Sequence, residues 1–161
     1  MSIPPSAPRR RKSPTAAELR AWRLFIETSE QVKNVVAARL QIEAGLSTGD
    51  YGVLLALSEH PERRMRSSQL ADDIGWERSR LSHHLGRMER RGLIVREAVA
   101  GDSRGAEIAL TAVGARLFRA GSAPHLHAIH EVFSRALSPE QLASLEDVMR
   151  TLRDHLEEPS R

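Results

Sequence analysis

Cysteine is absent from this 161-residue chain, which excludes disulfide frameworks, thiolate metal sites and thiol redox sensing. Lysine is scarce: Lys12 and Lys33 are its two copies, and arginine supplies the rest of the positive charge. Arginine's fork donates two hydrogen bonds at once and so suits phosphate and guanine, although GC-rich codon usage gives the same bias. No run approaches the ~18 apolar residues of a membrane span, and no apolar segment follows the opening MSIPPSAPRRRK, so a cytoplasmic protein without membrane contact is expected. Catalytic signatures are missing too. There is no G-x-S-x-G elbow, P-loop, G-x-G-x-x-G or H-E-x-x-H, and the adjacent Ser82 and His83 side chains would diverge on a helix. No enzyme, no catalytic residue and no cofactor is expected.

What is present is charge in an uneven pattern. The net +3 combines +4 from residues 9 to 12 with +4 from residues 63 to 104, where ten arginines face six acids, leaving −5 for the remainder. A basic middle between acidic flanks suggests one polyanion-binding lobe on a neutral or acidic scaffold. Residues 1 to 14, with four prolines and the RRRK cluster, are expected to form a disordered tail that is either solvated or a basic arm for DNA.

Order is expected from Thr15. Thr15 and Glu18 have capping-box spacing, and Leu19, Trp22, Phe25, Ile26, Val32, Val36 and Leu40 follow at helical intervals up to Gly45, a long amphipathic helix of about eight turns. Thr48 is the expected cap of a second helix through Val53, Leu54 and Leu57, ending before His60-Pro61. Ser67 is the expected cap of a short helix through Leu70, Ala71 and Ile74, stopped by Gly75, and another helix runs from about Glu77 to Arg91, stopped by Gly92. Two short helices around a glycine-bearing turn form a helix-turn-helix. Past Gly92 the period becomes 2: Leu93, Val95 and then Ile108, Leu110 flank the loop VAGDSRG, a hairpin attached as a wing. Thr111 opens a helix expected to be bent or interrupted around Gly121 to Pro124. The last helix starts at Ser138, with Pro139 in its first turn and Gln141 closing a capping box.

The stretch WERSRLSHHLGRMERRGLIVRE carries the functional pattern. On a wheel at about 100° per residue, Leu85 and Met88 lie within about 40° of Leu81, while Ser79, Arg80, His83, Arg87, Arg90 and Arg91 occupy about 160° to 280°. One face is core; the other carries donors that can reach base edges and phosphates from the major groove. Arg90 and Arg91 are expected to touch phosphate or solvent. His84 flanks the apolar stripe and is expected to be a partly buried packing residue.

These residues resemble the multiple antibiotic resistance regulator (MarR) family of winged-helix transcription factors. The resemblance runs from about Ala21 to Leu156, some 85% of the chain, through QLADDIGWERSRLSHHLGRMERRGLIVRE, GDSRGAEIALTAVGARLF with its wing Asp-x-Arg and Leu-Thr-x-x-Gly, and ALSPEQLASLEDVM. It implies a mainly α fold with a small β-hairpin wing, a winged helix-turn-helix in an intertwined helical homodimer. It divides the chain into the tail (1–14), a dimerisation helix (15–45), the winged DNA-binding lobe (46–111) and C-terminal dimerisation helices (112–157). The implied partner is double-stranded DNA with a pseudo-palindromic operator, whose half-sites suit a two-fold dimer at about 34 Å spacing.

By position, Ser79, Arg80, Ser82, His83 and Arg87 match the family's recognition-helix contacts, Arg104 the wing arginine and Asp102 the acid that braces the wing. The family commonly has arginine at the position of His83, so base preference does not transfer. The resemblance further implies a repressor released by a small-molecule effector, with Trp22, Phe25 and Tyr51 as candidate lining of a pocket between dimer helices and lobe. Two alternatives stay open: a metal-responsive regulator using His127 and His130 near Glu131, and a winged-helix protein-interaction module. No metal site is expected, because His125 points some 160° from His127 on the wheel.

Overall fold

The computed structural model describes residues 13–99 and 102–158, and the chain divides into two compact units, Met1–Asn34 and Val35–Arg161. The RRRK tail lies outside the described residues. Helix α1 (Ala16–Ala44) runs through the boundary, and its start is the capping box expected from sequence: Glu18 accepts from the Thr15 amide, and the Glu18 amide donates to the Thr15 hydroxyl at 3.2 Å.

In the second unit follow α2 (Thr48–Glu59), strand β1 (Arg64–Arg66), α3 (Ser67–Asp73), α4 (Arg78–Arg90), β2 (Ile94–Val99), β3 (Asp102–Leu110), α5 (Ala112–Val132), a short 3₁₀ turn at Ser134–Ala136, and α6 (Pro139–Glu157). The sheet is antiparallel in the order β1-β3-β2, with Met65 opposite Ile108 and Ile94 opposite Leu110. One core joins Leu40, Leu46, Leu54, Leu57, Leu70, Leu81, Leu85, Met88, Leu93, Ile94 and Ile108, all essentially without solvent exposure. No described helix is long and apolar enough to cross a membrane.

Several local expectations are corrected. Ser47 rather than Thr48 caps α2, because Asp50, three residues on, returns the bond to the Ser47 amide and completes a capping box. Ser67 is the first residue of α3, and Arg66 stands at the cap position, where its side chain does not cap the helix. Glu77 likewise lies just outside α4.

The wing's phase also differs from the expected alternation: Ile94 is buried and Val95 is 40% exposed. Gly92 adopts φ +71, the Gly92 amide donates to Glu89 and the Leu93 amide donates back to Met88 at 3.0 Å. Leu93 is thus the apolar residue that closes a Schellman motif, and the inward alternation starts one residue later. β1 was not foreseen. Three residues, RMR, are too short for a periodic signal, and β1 exists because Arg64, Met65 and Arg66 pair with β3. Helix α5 runs through Pro124 without the expected interruption. At the other end of the chain, Ser138, Pro139 and Gln141 start α6 as expected.

Candidate nucleic-acid interface

Helix α4 is set by its apolar side. Leu81, Leu85 and Met88 enter the core beside Leu70 and Ala71 of α3, and the turn between the helices is fixed by Gly75 at φ +65 and by the Trp76 amide donating to Ala71 at 2.9 Å. Burying one stripe leaves the opposite face outward. Ser79, Arg80, Ser82, His83, Arg87 and Arg90 are all exposed on it. The ends of α4 are tied to the wing: Arg96 of β2 donates to the Ser82 carbonyl at 2.6 Å, and its amide donates to Glu89 at 3.1 Å. A cavity of about 440 Å³ beside α4 is rimmed by Arg66, Arg78 and Arg96 with Ser67, Ser68 and Ser82. Asp102 and Arg104 stand at the start of β3, and their side chains lie outside the described residues.

Behind the exposed face lies a polar cluster that the sequence did not announce. His84 is buried, as its flanking position suggested, but it is not simply packing. Its Nδ1 faces Arg87 Nη2 at 2.8 Å, and its Nε2 lies 3.0 Å from Asp50 Oδ1, close but poorly aligned for a hydrogen bond. Asp50 Oδ2 takes Arg91 at 2.6 Å, and the other arm of Arg91 donates to the Gly45 carbonyl at 2.7 Å. Arg91 is therefore tied to the start of α2 while 43% of its side chain stays exposed to solvent. The Trp76 ring stands nearly perpendicular to the imidazole with centroids 5.1 Å apart, and the Arg80 guanidinium sits over the Trp76 ring at 4.3 Å.

Burial lowers the His84 pKa, and the nearby charges of Arg87 and Arg80 add to this against the opposing pull of Asp50. For Asp50 burial acts to raise the pKa, but hydrogen bonds from Arg91 and Ser47 and the charge of Arg91 outweigh it and hold the carboxyl below its ordinary value. The imidazole is thus neutral and the carboxylate ionised near neutral pH. Asp50 lies 34 positions from His84 in sequence, so no spacing could have signalled the pair; its only mark was the S-x-x-D capping pattern.

The aromatic candidates fall in different units. Trp22 and Phe25 lie on α1 with ring centroids 6.2 Å apart, Trp22 being 61% exposed. Tyr51 packs at 5.2 Å from Phe118 and 4.2 Å from His125 of α5, with its hydroxyl 3.5 Å from Ser122. Burial lowers the His125 pKa, and its Nδ1 is buried with no hydrogen-bond partner. The sequence reading weighs His125 only as a metal ligand and does not place it against Tyr51, although Phe118, Ser122 and His125 share helical spacing. The Glu131 carboxylate is taken by Arg135 at 2.9 Å, and among the described residues no three His, Asp or Glu side chains gather as a metal site.

Residues 44–105 match the MarR family profile. The structure resembles AbsC, a MarR family transcriptional regulator from Streptomyces coelicolor, at 33% identity and a TM-score of 0.83, over 92% of this chain and 100% of that one. It also resembles Sco3205 of the same organism, a MarR family regulator solved in complex with DNA, at 35% identity and a TM-score of 0.84, over 94% of each chain. The fold is shared with the PcaV regulator of Streptomyces coelicolor, solved with its natural ligand, at 21% identity and a TM-score of 0.74, over 90% of this chain and 99% of that one. No curated protein matches.

Proposed function

Because the chain belongs to the MarR family of transcriptional regulators, we propose that it is a homodimeric, sequence-specific DNA-binding repressor released by a small-molecule effector. The observation that carries this reading is the division of α4 into a buried Leu81, Leu85, Met88 side and an exposed side of arginine, serine and histidine. A helix so presented fits the major groove. Ser79, Arg80, Ser82, His83 and Arg87 contact bases and phosphates, Arg104 enters the minor groove and Asp102 braces the wing. The Streptomyces coelicolor relative solved in complex with DNA supports the DNA-binding reading.

Residues 46–111 form the DNA-binding lobe, and 15–45 and 112–157 are dimerisation segments on a pseudo-palindromic operator. The protein acts in the cytoplasm, performs no catalysis and needs no cofactor. Tyr51 and the unpartnered Nδ1 of His125 support an effector that pairs a flat apolar body with a hydrogen-bonding group.

The test is fluorescence anisotropy against the duplex upstream of the protein's own gene and a scrambled duplex, across a salt series. The reading expects specific binding that weakens steeply with salt, loses discrimination in Arg80→Ala and weakens in Arg104→Ala. Equal, weak binding to both duplexes, repeated with genome-derived fragments, overturns it.

A further inference from the structure

Two of the proposed DNA-contacting arginines are already held by side chains that do not themselves lie on the exposed face. The Arg80 guanidinium sits over the Trp76 ring at 4.3 Å, and Arg87 donates to His84 Nδ1. We propose that Trp76 and His84 are positioning residues that preset Arg80 and Arg87 for the duplex, with the Asp50 carboxylate, 3.0 Å from Nε2, favouring by its charge the tautomer that leaves Nδ1 free to accept; this rests on the DNA-binding reading above.

The physical reason lies in the arginines. A guanidinium on a free side chain gives up rotamer freedom when it docks, and one already held in place gives up less. It also presents its donors in one orientation, which favours the duplex whose acceptors match.

The chemistry of the cluster fixes how His84 must work. A guanidinium only donates, so Nδ1 must accept from Arg87 and the ring proton must sit on Nε2, the nitrogen that faces Asp50. Around the ring stand Asp50 from α2, Arg80 and Arg87 from α4, and Trp76 from the turn between α3 and α4. Arg91 approaches the far oxygen of Asp50, which leaves Oδ1 to the imidazole. A protonated His84 would turn an N–H towards Arg87 and release it. Burial and the two arginines keep the ring neutral, the state in which the arrangement works. The fit is tight on the α2 side: a Cβ added at Gly49 would lie 2.7 Å from the Trp76 ring and 3.0 Å from His84 Cε1.

The test uses the full-length protein and the duplex that the wild type enriches most from a random pool, with a scrambled duplex of equal length as reference. Asparagine can place its oxygen where Nδ1 stands, whereas glutamine reaches towards the Nε2 position. His84→Asn should therefore keep the contribution of Arg87, and His84→Gln should lose it. We expect His84→Gln to reduce the ratio of specific to scrambled affinity about tenfold, within the range of one good base contact. Adding Arg87→Ala to His84→Gln should cost nothing more. Trp76→Leu should lower discrimination in the same way as Arg80→Ala and not beyond it, while Trp76→Phe keeps part of it.

As the pH falls far enough to protonate His84, the difference between wild type and Arg87→Ala should shrink, because the added N–H faces Arg87. Variants that lower the melting temperature but leave discrimination unchanged, or that add independently to Arg87→Ala, overturn the proposal in favour of simple packing. A wild type that enriches no sequence overturns the DNA-binding reading and this inference with it.

Discussion

At Asp50 a backbone amide, a guanidinium and an imidazole converge on two carboxylate oxygens. Asp50→Asn keeps the shape but supplies one acceptor and a donor where two acceptors are needed, so either Arg91 or His84 meets an N–H. Arg91 is 43% exposed and its share is screened by solvent, so most of the loss comes from the buried side. The urea midpoint should fall by the equivalent of about 2 kcal/mol, the scale of a buried polar group left without its partner. The pH dependence has a definite sign. His84 and Asp50 both bind protons less readily folded than unfolded. Their contributions are therefore fully present above the unfolded values and are lost as pH falls, first through His84 below about 6.5 and then through Asp50 below about 3.9. Urea titrations between pH 8 and 5 should show stability falling towards acid, and His84→Asn should flatten the upper part of that slope.

Among the elements, the turn after α4 is the tightest joint. A Cβ at Gly114, in the first turn of α5, would stand 2.1 Å from the Leu93 carbonyl oxygen, and the Thr111 hydroxyl donates to the Gly92 carbonyl at 2.7 Å and the Leu93 carbonyl at 2.9 Å. The nearest atoms belong to the Leu93 backbone, which cannot swing aside as the end of a side chain can. Gly114→Ala should therefore cost about 3 kcal/mol, at the upper end for overpacking, and should disturb the wing through Leu93 and Ile94. Gly49→Ala meets the ends of side chains instead, and the gain of alanine in a helix, up to about 1 kcal/mol, offsets part of its cost. Thermal unfolding of the two variants should rank them in that order; a reversed order would mean that the Trp76–His84 contact is stiffer than the α5 joint.

For the whole molecule the apolar surface matters most. In α6 no side chain is buried, and Val148, Leu152 and Leu156 are exposed by 52%, 45% and 82%; Leu19, Trp22 and Phe25 of α1 are exposed as well. Exposed apolar stripes on long amphipathic helices fit burial against a second copy. Leu152→Glu with Leu156→Glu should shift sedimentation to a monomer and weaken DNA affinity through loss of the second half-site, while the helix-turn-helix lobe stays folded. The basic charge between residues 63 and 104 should give a salt dependence that becomes shallower by about 0.9 in log–log slope for each phosphate-contacting arginine removed. A monomeric wild type would contradict the dimer.

The sequence by itself determined the order of helices, the helix-turn-helix, the inward Leu81, Leu85 and Met88 and the outward arginines, because periodicity and caps are local and α4 obeys them without conflict. The capping boxes at Thr15 and Ser138 and the glycine stops at Gly75 and Gly92 were legible for the same reason. What only the tertiary structure decided depends on partners far along the chain. Arg91 carries the same charge as Arg90, and its commitment to Asp50 follows from α2 lying beneath the end of α4. Three residues become β1 because β3 offers them an edge, and Leu93 fills a helix-terminating motif where alternation had placed it in a strand. His84 looked like packing because the wheel of α4 shows its own residues and not the carboxylate of another helix; long-range polar pairing has no sequence period, and the fold alone brings its members together.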